Sequence, residues 1–328
     1  MSLFKVEDLN VIFRSKPDIV EFIAGVKEKK VHAVNGVSFN VEKGEILSLV
    51  GESGSGKTTI GRSVLNLIDK QALTGKITFE GKDVQLDDKE AIRAFRQKAQ
   101  MIFQDPYQSL NPRHSVYRIV AESLEVHNLY KEEGARLNKV KEALESAGLK
   151  PAEEFLNRYP HELSGGQRQR VAIAATIVLD PSFIVADEPV SMLDVSIRAD
   201  ILKLMVELKE NKDISYLFIT HDLSLAYAIS DRIAILYLGR IMEIGPAVEV
   251  IKNARHPYSQ ALLEAMPSMQ IRGNRKRNLL KGEVSDPSNL PPGCVFSLRC
   301  PHATQRCKSE NPELRNINDR HQIACHLF

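Results

Sequence analysis

Residues 51–58 read GESGSGKT and match the pattern G-x-x-x-x-G-K-S/T in full. Glycines at Gly51, Gly54 and Gly56 let successive backbone N–H groups turn inward around phosphate oxygens. The partial positive charge of a helix start adds to that field. Lys57 is placed to reach β- and γ-phosphates, and the Thr58 hydroxyl to ligate Mg²⁺. A ligand-free glycine turn is the plainer reading. Context argues against it: "HAVNGVSFNVEKGEILSLV" before the loop reads as strand, turn and buried strand, and "SVLNLI" after Thr59 continues in helical period.

Further out, "GKITFEG" alternates as a short strand between turn glycines, and "KAQMIFQD" rises apolar into Gln104 as another buried strand. From Pro106 to about Leu163 the character changes. "SVYRIVAESLEVHNL" and "ARLNKVKEALESAGL" are amphipathic and helical, with no strand signal. Sheet character returns at "SFIVADEP", "SYLFITHD" and "DRIAILYLGRIMEIG", separated by helices such as "SIRADILKLMVELKEN". Strands alternating with helices predict an α/β fold with a largely parallel sheet, interrupted by a helical insertion.

The 328 residues carry 44 Lys+Arg against 42 Asp+Glu, so whole-molecule charge argues for no particular partner. The hydrophobic fraction, 43%, is that of a globular protein with a sizeable core. No apolar run approaches the ~20 residues a membrane-spanning helix needs, and "MSLFKVEDLN" lacks a signal peptide's basic head and apolar stretch. A cytosolic chain, able to dock on a membrane protein, is the expectation. The stretch 18–30 reads as a surface hairpin, or as an amphipathic segment lying on a partner. The basic run at 272–277 reads as a solvated linker face, or as a contact for phosphates or lipid head groups.

Carboxylates and switch residues sit at strand ends. In "FIVADEP" a buried strand leads to Asp187, placed to hold Mg²⁺, and then to Glu188, which faces differently because side chains alternate. Glu188 can act as general base on a water in line with the γ-phosphate. An acidic helix cap is the alternative for this pair. His221 ends "LFITH" at the ligand-facing end of an α/β strand. Gln104 ends "MIFQ", where its amide can touch Mg²⁺ or the attacking water, or make a buried-edge hydrogen bond. Structural roles remain open for both.

Taken in order, the phosphate loop, "MIFQ", "LSGGQ", "IVADEP", "SMLD" and "ITHD" resemble the ATP-binding cassette ATPases, over residues 1 to about 255. "FQDPYQSLNPR", "RYPHELSGGQRQRVAIA", "RHPYSQALLEAMP" and the terminal "PPGCVFSLRCPHATQRC" narrow the likeness to ATPase subunits of oligopeptide and dipeptide importers. The resemblance implies a RecA-like P-loop NTPase core with an antiparallel β subdomain (1–104 and 164–255), a helical subdomain (105–163), and a small Cys-containing extension (256–328). It implies a nucleotide held by Gly51, Glu52, Ser53, Gly54, Ser55, Gly56, Lys57, Thr58 and Thr59. Lys57, Gln104, Glu188 and His221 would be catalytic, with Mg²⁺ on Thr58, Gln104 and Asp187. Two such subunits pack head to tail, so that Ser164, Gly165, Gly166 and Gln167 close on the nucleotide of the other chain and Asp194 crosses the interface. Phe13 is the candidate for stacking on adenine, with Phe22 or His32 as substitutes because an insertion at about 15–30 follows it.

The implied partners are two transmembrane permease subunits, a second ATPase subunit (a different chain, or a second copy) and an extracytoplasmic solute-binding protein, with no nucleic acid. The implied location is the cytoplasmic side of the cell membrane. Competing readings are a soluble cassette ATPase acting on nucleic acid or ribosomes, and a P-loop kinase. The single cassette, the lack of heptads and "LSGGQ" weigh against both.

All four cysteines, Cys294, Cys300, Cys307 and Cys325, fall near the C-terminus with spacing C-x5-C-x6-C-x17-C. In a reducing compartment such clustering suggests metal ligation before disulfides. The spacing matches neither paired-cysteine zinc sites nor ferredoxin runs. The family resemblance implies a 4Fe–4S cluster, with zinc, free thiols or a disulfide as alternatives and His302 or His326 as substitute ligands.

Overall fold

The computed structural model describes residues 2–15, 29–84, 88–266 and 285–328. Most of the candidate surface hairpin at 18–30, Phe22 and the basic run at 272–277 lie outside the described residues. The strands in chain order are β1 (Ser2–Ser15), β2 (Lys29–Glu42), β3 (Ile46–Val50), β4 (Leu73–Phe79), β5 (Lys82–Asp83), β6 (Ala99–Ile102), β7 (Phe183–Asp187) and β8 (Ser215–Thr220). After them come β9 (Arg232–Tyr237), β10 (Arg240–Pro246), β11 (Arg315–Asn316) and β12 (Gln322–Ile323).

The chain divides into two compact units, each assembled from separate stretches. One comprises residues 41–45 and 86–218; the other comprises 2–40, 46–85 and 219–328. In the first unit β6 and β7 pair in parallel, Ala99 opposite Phe183 and Ile102 opposite Ala186. Every residue of β7 is buried, which is why it reads as a continuous apolar run rather than an alternating one. Between β6 and β7 this unit is helical. Helices Val116–Val126, Glu133–Ser146 and Gly165–Ile177 pack on one another around Val120, Leu124, Val140, Leu144, Val171 and Ala174.

In the second unit β1, β2, β4 and β5 form a sheet ordered β2-β1-β4-β5, with β4 antiparallel to both β1 and β5. A second run places β3 parallel to β9, β9 antiparallel to β10, and β12 antiparallel to β10 and β11. Here the largely parallel expectation is modified. "DRIAILYLGRIMEIG" is a hairpin, turning at Leu238 (φ 44°) and Gly239 (φ 73°). Two central residues with positive φ are the geometry of a two-residue turn that matches strand twist. Leucine is an unusual first residue for it.

The helix after the glycine-rich loop, Lys57–Val64, ends sooner than "SVLNLI" suggests. Asn66 adopts φ 53°, its N–H donates to Ser63 O at 3.0 Å, and Leu67 N–H donates to Arg62 O at 2.9 Å. That pair of bonds closes the helix with a left-handed residue, a role asparagine fills after glycine.

The C-terminal segment is part of the second unit's core. Cys294, Val295, Phe296 and Cys307 are buried in one cluster with Val50, Tyr237, Met242 and Tyr258. The rings of Tyr237, Tyr258 and Phe296 lie 4.9–5.3 Å apart in tilted or edge contacts, the arrangement aromatic quadrupoles favour. Among the described residues no helix is long and apolar enough to cross a membrane.

Candidate functional site

The glycine-rich loop, residues 51–58, lies in the second unit. A Cβ on Gly51 would stand 2.2 Å from the Leu236 carbonyl oxygen and 2.9 Å from Ser55 Oγ. Gly56 caps the following helix at φ 96°, where a Cβ would stand 2.3 Å from the Ala33 carbonyl oxygen. Close backbone approach demands both glycines, and Gly56 is demanded by its left-handed φ as well. The β9–β10 turn supports the loop from below, Gly239 N–H donating to Ser55 O at 2.9 Å. Lys57 is buried, and its Nζ donates to Gly51 O at 2.8 Å, Glu52 O at 2.9 Å and Ser55 Oγ at 3.3 Å. A positive charge therefore sits inside the turn of its own loop.

Glu52 is held from elsewhere in the unit. Its N–H donates to Tyr258 Oη at 3.2 Å, and its carboxylate accepts from Arg299 Nη1 at 2.7 Å and Nη2 at 3.2 Å. His221 follows β8 and is exposed, while Asp222 caps the next helix by accepting from Ser224 N and Leu225 N. Phe13, on β1, is 39% exposed, and His32, on β2, is half-buried with its N–H donating to Pro287 O at 3.1 Å.

The first unit holds the remaining candidates. Asp187, 4% exposed, ends β7, and Glu188 follows with φ 46°. A left-handed glutamate costs of order 1 kcal/mol, and such residues gather at functional sites. Ser191 fixes the bend by donating to Glu188 O from both N and Oγ at 3.1 Å. Gln104, two residues beyond β6, donates from Nε2 to Glu188 Oε2 at 3.1 Å. The neighbouring parallel strands thus bring these two side chains together.

Ser164 is exposed and caps the helix Gly165–Ile177 through a reciprocal pair. Gln167 N–H donates to Ser164 Oγ at 3.3 Å, and Ser164 N–H donates to Gln167 Oε1 at 2.9 Å. The two glycines differ. A Cβ at Gly165 meets ordinary contacts, whereas one at Gly166 would stand 2.8 Å from Ile197 Cγ2. Gly166 answers to packing on the helix Val195–Lys212. Asp194 precedes that helix, exposed and without a side-chain capping bond.

The structure lends the cysteine expectation no support. Cys294 and Cys307 are buried, Cys300 and Cys325 half-buried, and the four lie within electrostatic reach of one another. Burial pushes the Cys294 thiol up to about 11 and raises Cys300 and Cys325, with the neighbouring cysteines adding to the shift. Among the described residues no three His, Cys, Asp or Glu side chains are placed to hold a metal ion. An iron–sulfur cluster or zinc at these residues therefore stays an implication of the family resemblance alone.

Sequence reasoning missed the partners of Glu52 and a second buried group around Glu243. Glu243 is fully buried in β10 and accepts from His321 Nε2 at 2.8 Å and from the N–H groups of Arg255 and His256. Burial works to raise its pKa, but these bonds, that of His321 foremost, outweigh it and hold the carboxyl below its ordinary value. No spacing in the sequence links these residues.

A buried strand, glycine-rich loop and helix, with carboxylates at a parallel strand's end, define a P-loop nucleotide hydrolase. The ABC transporter family model matches residues 34–191, and that of the oligopeptide/dipeptide transporter C-terminal region matches 242–307. The chain is 48% identical to the putative oligopeptide transport ATP-binding protein YkfD of Bacillus subtilis, over 94% of this chain and 93% of that protein. It is 44% identical to the dipeptide transport ATP-binding protein DppF of Haemophilus influenzae, over 91% and 90%. Two solved structures agree in fold at 27% identity. Clostridium perfringens cbiO1, part of the ABC transporter complex cbiONQ, matches with TM-score 0.64 over 77% of this chain and 91% of that one. The dimeric post-hydrolysis cassette MJ0796, bound to ADP and Pi, matches with TM-score 0.63 over 74% and 98%. The chain belongs to the ABC transporter ATPases, in their oligopeptide/dipeptide branch.

Proposed function

We propose that this chain hydrolyses ATP to power an importer of dipeptides, oligopeptides or a related solute, as one half of a head-to-tail ATPase pair. The observation that carries the reading is the likeness to oligopeptide and dipeptide transport ATP-binding proteins along almost the whole chain. In this reading the cassette core is 1–104 with 164–255, the helical subdomain is 105–163 and the extension is 256–328. The working assembly adds two membrane permease subunits, a second ATPase chain of different sequence or a second copy, and an extracytoplasmic solute-binding protein. The subunit is peripheral, on the cytoplasmic side.

Backbone N–H groups of residues 51–59 would surround the phosphates, and Lys57 would trade its loop carbonyls for β- and γ-phosphate oxygens. Thr58, Gln104 and Asp187 offer the oxygen donors Mg²⁺ prefers, and the ion would offset phosphate charge. Glu188, oriented by Gln104, takes a proton from water as its oxygen attacks the γ-phosphorus; ADP leaves with the bridging oxygen's electron pair. His221 would orient that water or donate to the γ-phosphate. Phe13 would stack on adenine. The exposed Ser164 hydroxyl, with Gly165, Gly166, Gln167 and Asp194, would face the nucleotide of the other chain. No step passes through the cysteines.

The test crosses two defects. Chains carrying Lys57→Ala and chains carrying Ser164→Arg should each hydrolyse ATP poorly. Mixed in equal amounts they should regain part of the rate, because one site in each mixed pair is then whole. Undiminished turnover by Ser164→Arg alone, independent of protein concentration, overturns the shared site.

A further inference from the structure

Glu52 places a carboxylate inside a loop assigned to bind polyphosphate. Left unpaired, that charge would repel the nucleotide. Every hydrogen-bonding part of Glu52 is taken. Its carbonyl accepts from Lys57 Nζ, its N–H donates to Tyr258 Oη, and its carboxylate is gripped by both terminal nitrogens of Arg299. The Arg299 side chain is 8% exposed and the Glu52 side chain 27%, so solvent screens the pair incompletely. Bidentate pairs of this kind fix geometry as well as charge.

Arg299 is itself held. Its guanidinium carbon lies 5.6 Å from the Tyr237 ring centroid, and Nη1 reaches Tyr237 Oη at 3.5 Å. Tyr237 and Tyr258 both pack on Phe296, three residues before Arg299. Arg299 Nε is buried with no hydrogen-bond partner among the described residues. That orphan donor is a stability cost, so tight packing alone does not account for an arginine here.

We propose that Arg299 is a positioning residue for the phosphate loop: it neutralises Glu52 and fixes the loop backbone that is to receive polyphosphate, making nucleotide affinity depend on the docked C-terminal segment. The proposal rests on the phosphate-loop assignment of residues 51–58.

Four full-length variants test it: Arg299→Ala, Arg299→Lys, Glu52→Gln, and Arg299→Ala combined with Glu52→Gln. Nucleotide dissociation constants and kcat are measured at fixed ionic strength. Arg299→Ala should weaken ATP binding by about tenfold, within the range of ordinary site-to-site coupling, with kcat at saturation changed much less. Arg299→Lys should fall between, because a point charge cannot grip both carboxylate oxygens. Glu52→Gln in the Arg299→Ala background should restore affinity, which mere loss of packing would not do. Unchanged affinity in Arg299→Ala, or no rescue by Glu52→Gln, overturns the proposal. Should Arg299→Ala fail to fold, Arg299→Lys with and without Glu52→Gln decides by the same two outcomes. Retained ATP affinity in Lys57→Ala would instead sink the assignment of the loop itself, whatever Arg299 does.

Discussion

Two helices in this chain start from serine and glycine, and their surroundings differ. Before Lys57–Val64, the loop is filled by its own lysine, backed by the Gly239 turn and gripped through Glu52 by Tyr258 and Arg299. Before Gly165–Ile177, Ser164 stands exposed, and its cap comes from Gln167 three residues along. The first loop is braced entirely from within its own compact unit. The other is a prepared surface. Under the proposed function, the separation of the two motifs along the sequence would reflect two different tasks, holding a nucleotide and closing on one held elsewhere.

The largest way to break that comparison is Glu188→Gln. If Glu188 acts in hydrolysis rather than in holding nucleotide, kcat should fall by roughly 10²–10⁴ while ATP binding persists. Phosphate release and equilibrium binding on one preparation separate the two, and lost binding would blur the distinction between the halves.

A smaller effect probes the support under the first half. His256 caps the helix Pro257–Ala265 by accepting at Nδ1 from Tyr258 N at 3.0 Å, which requires a neutral ring. Burial lowers its pKa to about 4, although the Glu243 carboxylate opposes the shift. Between that value and ~6.5 the unfolded chain binds the proton that the folded chain excludes. The contribution is complete above ~6.5 and is lost as pH falls toward 4, amounting to roughly 3 kcal/mol. Thermal unfolding followed from pH 7 to pH 4 should show this slope, and His256→Asn, which can still cap, should flatten it.

The smallest effect is expected at Asn66→Ala, where a left-handed residue gains an ordinary side chain. Stability should drop by about 1 kcal/mol with ATP turnover per folded molecule unchanged. A loss of affinity there would mean that the helix end, as well as its start, tunes the loop.

What was legible in the residues follows from how local each signal is. β3 and β7 announce themselves as apolar runs because both faces are buried. The loop and "LSGGQ" are local chemistry at fixed spacing, and Gln104 and Glu188 stand at the ends of strands that could be read in advance. The Leu238–Gly239 turn hid because leucine carries no turn preference, so one apolar stretch concealed two strands. Glu243 and His321, or Glu52 and Arg299, share no period. Only the return of the C-terminal segment to β10 and to the loop brings them together. The four cysteines are close in sequence and in space, yet among the described residues no three His, Cys, Asp or Glu side chains are placed to hold a metal ion.

The dependence of Ser55 on Gly239, and of Glu52 on Tyr258 and Arg299, has a consequence for biosynthesis. Residues 51–58 are translated well before Gly239, Tyr258 and Arg299, the groups that brace them. A nascent chain stopped short of Arg299 should therefore display a correct loop sequence without a correctly braced loop, and nucleotide capture should mature only once Arg299 has been translated and docked.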